Sequence, residues 1–136
     1  MEGVKKWGIK VQDVYLTPDE LFQEMEEEFG VKNLKTAFDP CPFPAADEDG
    51  LQIPWKTPCF VNPPFSKCVL WIRKAKEEAK RGVTTYMVVP WYAYYGTSAC
   101  KKELDLPMPP RHGFEFRSPI TRKIASMNVM FVKFGP

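Results

Sequence analysis

The chain has 136 residues, of which 44% are hydrophobic and 26% are charged, and this balance excludes a disordered tail or a fibrous repeat. The net charge of +2 is too small to identify a nucleic-acid partner by itself. No repeat or linker divides the sequence, so we treat residues 1–136 as a single domain.

Cysteine, histidine and hydropathy patterns exclude several further classes. The four cysteines are spaced too unevenly for a zinc site, and we expect them to be reduced: Cys41, Cys59, Cys68 and Cys100. The single histidine, His112, excludes a multi-histidine metal site, so no metal is expected. The chain shows neither a membrane-length apolar run nor the apolar core of a signal peptide. These features predict an intracellular, cytoplasmic protein.

The N-terminal part predicts one helix followed by an ordered loop. Thr17 is expected to cap the helix within a capping box, with Pro18 at the first helical position. Gly30 ends this helix. A short strand is expected at Lys35–Phe38, and the prolines of Asp39–Pro44 forbid either helix or central strand after it.

The middle of the chain predicts a strand, a helix and a second strand. Cys59–Val61 is a second short strand after Lys35–Phe38, and Ser66 is expected to cap a helix that ends at Gly82. Val83–Val89 is β-branched and aromatic, which indicates a strand that Pro90 closes.

The C-terminal part predicts a long loop and a hairpin. Trp91–Gly113 is aromatic and basic, and we expect a loop that is mobile in the free protein and closes over nucleic acid. Gly113–Arg117 and Met127–Phe134 are expected to pair as the hairpin. Together these elements predict an α/β three-layer core with a mixed sheet and a C-terminal antiparallel hairpin.

One tetrapeptide, Asn62-Pro63-Pro64-Phe65, stands where α/β sheets bind ligands, directly after a strand. Its two prolines lack N–H groups, so the segment presents carbonyl oxygens, and the Asn62 amide adds another. Such acceptors suit a planar amine, whose nitrogen becomes pyramidal and positive in the transition state of alkylation. Phe65 can stack on a planar base. A proline-rich turn that only ends a strand is the alternative.

This tetrapeptide matches the (Asp/Asn)-Pro-Pro-(Tyr/Phe) signature of amino methyltransferases, and the chain resembles the short phage-type, Dam-like DNA N6-adenine methyltransferases. The similarity covers most of the sequence. It is carried by these further segments: Tyr15-Leu16-Thr17-Pro18, Glu20-Leu21-Phe22, Phe38-Asp39-Pro40-Cys41, Asp49-Gly50-Leu51, Trp55, Trp71, Lys74-Ala75, Glu77-Glu78-Ala79 and Ser126–Phe131.

The resemblance implies a minimal Rossmann-like methyltransferase that transfers a methyl group from S-adenosylmethionine to adenine N6 in DNA. By position, Asn62, Pro63, Pro64 and Phe65 would hold the target base. The cofactor would contact Thr17, Pro18, Asp39 and Cys41. Helix capping explains the first two equally well, and turn formation is an alternative for Asp39. The role of the acidic run Asp47-Glu48-Asp49 stays open.

Two basic pairs are the candidates for phosphate contacts with DNA, which we expect to be double-stranded. Lys101-Lys102 and Arg122-Lys123 lie in the two segments expected to surround the site. Surface lysines and arginines that only increase solubility are the alternative.

The chain departs from the resemblance in two respects. It has no Gly-x-Gly cofactor loop, and no separate target-recognition domain is visible. Because the same loop chemistry serves other planar amines, methylation of RNA adenine or protein glutamine stays open, and the missing glycine loop leaves open a catalytically silent nucleic-acid-binding module of the same fold. The phage-type resemblance is compatible with a phage or viral origin.

Overall fold

In a computed structural model that describes residues 14–91, 98–104 and 113–136, a mixed four-stranded sheet carries helices on both faces. Strand order is β1-β2-β4-β3, with β1 parallel to β2 and the other pairs antiparallel. The elements are α1 (Asp19–Phe29), β1 (Cys59–Val61), α2 (Cys68–Ala79), β2 (Thr85–Pro90), α3 (Ser98–Leu104), β3 (Gly113–Arg117) and β4 (Ile124–Phe134). The predicted α/β class and C-terminal antiparallel hairpin are confirmed.

Two apolar clusters cover the two faces of the sheet. On one face, Trp71 and Ile72 of α2 pack with Met87 and Met130 of the sheet. On the other, Leu21 and Met25 of α1 pack against sheet side chains that include Phe60, Val88, Phe114 and Phe116. The alternation of side chains along β2 therefore supplies both clusters, which explains why all six of its residues are buried.

The start of α1 differs from the prediction. Pro18, in extended conformation, is the N-cap residue, and no side chain caps the helix. The Thr17 hydroxyl accepts a hydrogen bond from the Asn62 amide. The capping interpretation of Thr17 is wrong because its side chain is used in a long-range contact. The C-terminus is as predicted, with Gly30 left-handed at φ 64°.

The strand predicted at Lys35–Phe38 is wrong for most of its length. Asn33 turns the chain with φ 65°, and Leu34–Thr36 form a short 3-10 helix with Leu34 buried. Phe38 alone forms a parallel bridge, with Cys59. The prolines that follow cannot donate further ladder hydrogen bonds, which limits this pairing to one position.

Helix α2 also begins and ends differently from the prediction. Ser66 lies inside a 3-10 turn, Phe65–Lys67, and the N-cap residue is Lys67 without a side-chain hydrogen bond. The helix ends at Ala79, and Gly82 follows in the turn with φ 89°. Continuous winding from the 3-10 turn into the helix makes a serine cap unnecessary.

The C-terminal elements are more regular than predicted. Strand β4 begins at Ile124 rather than Met127, and α3 lies within the predicted loop Trp91–Gly113. Glu103 in α3 accepts hydrogen bonds from Arg73 and Lys76 of α2, which anchors the helix. Residues 92–97 and 105–112 lie outside the described ranges, so closure of this segment over nucleic acid stays a prediction.

Candidate active site

The Asn62 tetrapeptide begins where β1 ends, at the carboxyl edge of the two parallel strands. Pro63 and Pro64 are buried, and Pro64 accepts a hydrogen bond from the backbone of Lys67 that closes the 3-10 turn. This turn reverses the chain from the sheet into α2. The segment is therefore held at both ends by regular structure.

A cavity of about 330 Å³ opens beside this segment and brings together residues from distant parts of the sequence. Thr17, Asp39 and Cys41, three of the predicted cofactor residues, line it with Asn62 and Pro64. Its wall also includes Tyr15, Leu16, Phe22 and Phe43. Of the other predicted site residues, Pro18, Pro63 and Phe65 are not part of this lining.

The amide of Asn62 is oriented by two acceptors from the segment before α1. Its Nδ2 donates to the Thr17 hydroxyl at 3.1 Å and to the Tyr15 backbone carbonyl at 3.4 Å. A carbonyl can only accept, so the amide nitrogen must face it and the amide oxygen must point away. That oxygen, Oδ1, is buried and has no hydrogen-bond partner among the described residues.

Phe65 lies behind the cavity, in an aromatic group. It is 6% exposed, and the Tyr15 ring stacks on it with centroids 5.5 Å apart and an interplanar angle of 19°. Phe116 meets it edge-on, with the ring centroids 6.0 Å apart. Tyr15 was missed as a site residue in the sequence interpretation, although its position two residues before Thr17 was a usable signal.

Asp39 is the acidic group of the cavity. Its side chain reaches solvent, yet protein atoms surround the carboxyl, and this desolvation raises its pKa from 3.8 to about 6. A 2.9 Å hydrogen bond from the Cys41 backbone N–H acts in the opposite direction. The same enclosure, with the nearby Asp39 and Asp49 charges, raises the pKa of the Cys41 thiol far above its usual range. Cys41 is therefore a neutral wall residue, not a nucleophile.

The loop that carries Asp39 and Cys41 is fixed from behind by a close backbone contact. A Cβ added to Gly50 would lie 1.9 Å from the Pro40 carbonyl oxygen and 2.9 Å from the Trp71 ring. The Gly50 carbonyl accepts a 2.7 Å hydrogen bond from the Trp55 indole. Asp49 stabilises the same turn, because its carboxylate accepts from the Leu51 backbone N–H at 3.0 Å.

A buried carboxylate holds the end of this loop against α2. Glu78 is 3% exposed and accepts hydrogen bonds from the Trp55 backbone and from Arg81. The Arg81 hydrogen bond is the main cause that lowers the pKa of Glu78 to about 2. The carboxylate therefore stays charged and keeps the loop in position.

Comparison with protein-family models finds one decisive similarity. Residues 6–94 match the model of the DNA N-6-adenine-methyltransferase (Dam) family, a span that includes α1, the cavity loop, the tetrapeptide and β2. The chain belongs to the Dam family. Comparison with curated proteins and with solved structures gives no match.

Membership in the Dam family implies DNA as the substrate and N6 of adenine as the position methylated. The predicted basic pairs lie outside the cavity lining and in two separate elements. Lys101 and Lys102 are exposed on α3, and Arg122 and Lys123 are exposed in the turn between β3 and β4.

The described parts of this Dam-family chain contain no group of three His, Cys, Asp or Glu side chains that could hold a metal ion. In the same residues, no helix has the length and apolar character required to cross a membrane. All four cysteines lie in the described residues as thiols that form no disulfide.

Proposed function

We propose that this chain transfers the methyl group of S-adenosylmethionine to adenine N6 in double-stranded DNA, with the target base held by Asn62, Pro63, Pro64 and Phe65. The buried, unpartnered Oδ1 of Asn62 carries the proposal. A buried acceptor without a donor costs about 1–3 kcal/mol, and native proteins contain few of them. An exocyclic amino group would supply the missing donor.

Two acceptors then act on the adenine amino group. The Asn62 oxygen and the Pro63 carbonyl accept its two N–H bonds, which favours a pyramidal nitrogen and stabilises the positive charge that develops on it. The Thr17 hydroxyl and the Tyr15 carbonyl keep the amide in the required orientation. No strong base would be needed: as the N–C bond forms, the S–C bond of the cofactor would break and release S-adenosylhomocysteine, and the acidic cationic nitrogen would then lose its proton to water.

The cavity suits the proposed cofactor in size and in donor set. Its volume lies at the lower end of the range for small-molecule sites, and apolar rings form much of its wall. Asp39, once ionised, can accept from an ammonium or a ribose hydroxyl, while Cys41 and Phe43 supply apolar contact. When bound, S-adenosylmethionine supplies an electrophilic methyl group. These wall residues perform the role that a glycine-rich loop has in other nucleotide sites.

The order of the sheet supports a minimal Rossmann-like methyltransferase fold for this cavity. Ligands of open α/β sheets bind beyond the carboxyl ends of parallel strands, and Asn62 follows β1 at this position. The single Phe38 bridge extends the parallel part of the sheet by one strand position on the Asp39 side. Cofactor loop and base-binding segment thus emerge from neighbouring strand ends.

Access of the base requires movement of one ring. In the free chain, Tyr15 covers a face of Phe65. Rotation of the Tyr15 side chain would free that face for stacking of an extruded adenine, while the backbone carbonyl of Tyr15 stays bonded to Asn62. Lys101, Lys102, Arg122 and Lys123 are proposed as phosphate contacts outside the cavity.

The test is incubation of the protein with radiolabelled S-adenosylmethionine and duplex DNA, followed by mass analysis of nucleosides. The expected product is N6-methyl-2′-deoxyadenosine, reduced about 10²–10³-fold when Asn62→Ala replaces the wild type. Parallel reactions with RNA and with a glutamine-containing protein distinguish the other planar amines. Absence of cofactor binding at millimolar concentration in calorimetry would refute the proposal and favour a silent nucleic-acid-binding module.

A further inference from the structure

The β3–β4 hairpin projects past the carboxyl edge of the sheet. Pro90, the last residue of β2, pairs with Val129, so Ile124–Asn128 extend beyond the end of β2. At about 3.3 Å per residue this five-residue overhang is roughly 16 Å long. It projects from the same edge at which Asn62 follows β1. The hairpin tip therefore stands beside the candidate active site.

A lateral row of three exposed side chains connects the tip to the cavity. Leu16, a cavity residue, bridges to Arg117 of β3, and Arg117 pairs with Ile124 of β4. Directly opposed residues point to the same face of a sheet. With strands about 4.8 Å apart, Ile124 lies about 10 Å from Leu16.

The two apolar side chains of this row, Leu16 and Ile124, are unusually exposed. Ile124 is 50% exposed and Leu16 is 44% exposed, whereas Phe114 and Phe116 on the opposite face of the hairpin are fully buried. The buried phenylalanines anchor the hairpin to the core. An apolar branched side chain is thus held in water on a firmly packed support.

The turn at the tip is ordered and positively charged. The Ser118 hydroxyl accepts hydrogen bonds from the backbone N–H groups of Ile120 and Thr121, and the backbone N–H of Ser118 donates to the Lys123 carbonyl. Arg122 has a φ of 62°, a left-handed conformation that glycine or asparagine adopts more readily.

Charge and shape of this tip fit one partner, duplex DNA. Between residues 113 and 124 the sequence has three cations, Arg117, Arg122 and Lys123, against the single carboxylate of Glu115. Phosphates attract the cations, and an apolar side chain between them can enter a base step.

We propose that Ile124 is a wedge that enters the DNA stack beside the extruded adenine, with Arg117 and Lys123 on the flanking phosphates. This inference rests on the proposed function, because a wedge is useful only where a base leaves the helix. It adds to that function a contact that keeps the position vacated by the adenine open in the DNA stack, about 10 Å from Leu16 of the cavity lining.

The test compares two duplexes of identical sequence, one fully paired and one in which an adenine lies opposite an abasic site. Binding of wild type, Ile124→Ala and the control Leu70→Ala is measured by fluorescence anisotropy with saturating S-adenosylhomocysteine. Leu70 is also an exposed apolar residue, at 41%, but it lies on α2. Thermal melting verifies that each variant is folded.

Ile124→Ala is expected to bind the paired duplex about tenfold more weakly and the abasic duplex with wild-type affinity, because an unpaired adenine needs no wedge. Leu70→Ala should match wild type on both. The wedge is refuted if Ile124→Ala loses the same affinity for both duplexes or loses none for either. It is also refuted if the wild type does not bind DNA. If the wild type methylates DNA but Ile124→Ala binds both duplexes as the wild type does, the wedge is refuted and the proposed function is not. If Ile124→Ala weakens binding of the paired duplex but the wild type does not methylate DNA, only the proposed function is refuted.

Discussion

The Tyr15 ring stacks on the Phe65 ring with centroids 5.5 Å apart, so the aromatic residue of the Asn62-Pro63-Pro64-Phe65 tetrapeptide is covered by the segment that also fixes the Asn62 amide. Both groups proposed to hold the target base are therefore shielded in the free chain: Phe65 is 6% exposed, and Asn62 Oδ1 is buried. Binding of a base competes with this internal contact.

Tyr15→Ala is expected to increase affinity for DNA that contains an unpaired adenine. An aromatic pair contributes about 0.5–1.5 kcal/mol, so its loss removes a competitor and should tighten binding about two- to tenfold. Tyr15→Phe retains the ring and should behave as wild type. Fluorescence anisotropy with saturating S-adenosylhomocysteine measures the DNA affinity of both variants. Weaker binding by Tyr15→Ala would show instead that the base stacks on Tyr15.

Asn62→Ala is expected to reduce methyl transfer by about 10²–10³-fold, the effect of removing one preorganised transition-state hydrogen bond. Cofactor affinity, measured by calorimetry, should change little because the amide acts on the substrate amine. Asn62→Asp is the informative partner, since it keeps an acceptor oxygen but loses the donor to the Tyr15 carbonyl, and it should therefore retain only part of the activity. Wild-type turnover by the alanine variant contradicts the role assigned to Asn62.

The sequence predicted the parts of this site that depend on local chemistry. The tetrapeptide follows β1 as predicted, and proline's missing N–H predicts the irregular loop after Phe38, although the strand expected before that loop is reduced to a single bridge. Thr17 was assigned a local capping role because the hydrogen bond from Asn62 spans 45 positions in the chain, and no local pattern encodes such a contact.

The errors in the fold have a similar origin. The predicted strand Lys35–Phe38 has a suitable composition, yet only Phe38 reaches a partner, because Asn33 turns the chain and Leu34 enters the core beneath α1. Helix α3 was missed inside the predicted loop. Its seven residues are too few for a clear amphipathic period, and its contacts with Arg73 and Lys76 are tertiary.

Cofactor binding is expected to depend on pH through Asp39, whose pKa is about 6. Below that pH the protonated carboxyl is a poor acceptor for an ammonium or hydroxyl group, so affinity should fall about tenfold per unit as the pH decreases further. Asp39→Asn should bind weakly and without this dependence. Calorimetric titrations between pH 5 and about pH 8 measure the profile. A flat wild-type profile contradicts a direct contact.

The Asp39 carboxyl should have the opposite pH effect on folding: cofactor affinity falls as the pH decreases, whereas folding stability falls as the pH rises. The folded-state pKa lies above the unfolded value of 3.8, so the folded chain binds the extra proton and this group's stabilising contribution is lost as the pH rises from about 4 to about 6. Cofactor-free Asp39→Asn should therefore be more stable than wild type above pH 6, in chemical denaturation.

Gly50→Ala is expected to weaken both folding and cofactor binding. The added Cβ would lie 1.9 Å from the Pro40 carbonyl oxygen and force the backbone to move between Asp39 and Cys41. Such overpacking costs about 1–3 kcal/mol of unfolding free energy. Gln52→Ala, at an exposed position in the same turn, is the control. Calorimetry on the folded variant should show a raised cofactor Kd, and an unchanged Kd would mean that Pro40 does not position the cavity wall.

Phosphate contacts by Lys101 and Lys102 are expected to appear in the salt dependence of DNA binding. Each phosphate neutralised by a protein cation contributes about 0.9 to the slope of log K against log salt, so replacing both lysines by alanine should reduce its magnitude by about 1–2 units. The matched control is Lys80→Ala with Lys133→Ala, which removes the same charge from two exposed positions near the opposite edge of the sheet, where β2 begins and pairs with β4. Because counterion release depends on contact rather than on net charge, the control should lower affinity slightly and leave the slope almost unchanged. Equal slopes for the two double variants would show that the α3 lysines act only through overall charge, which would leave the hairpin tip as the remaining candidate for phosphate binding.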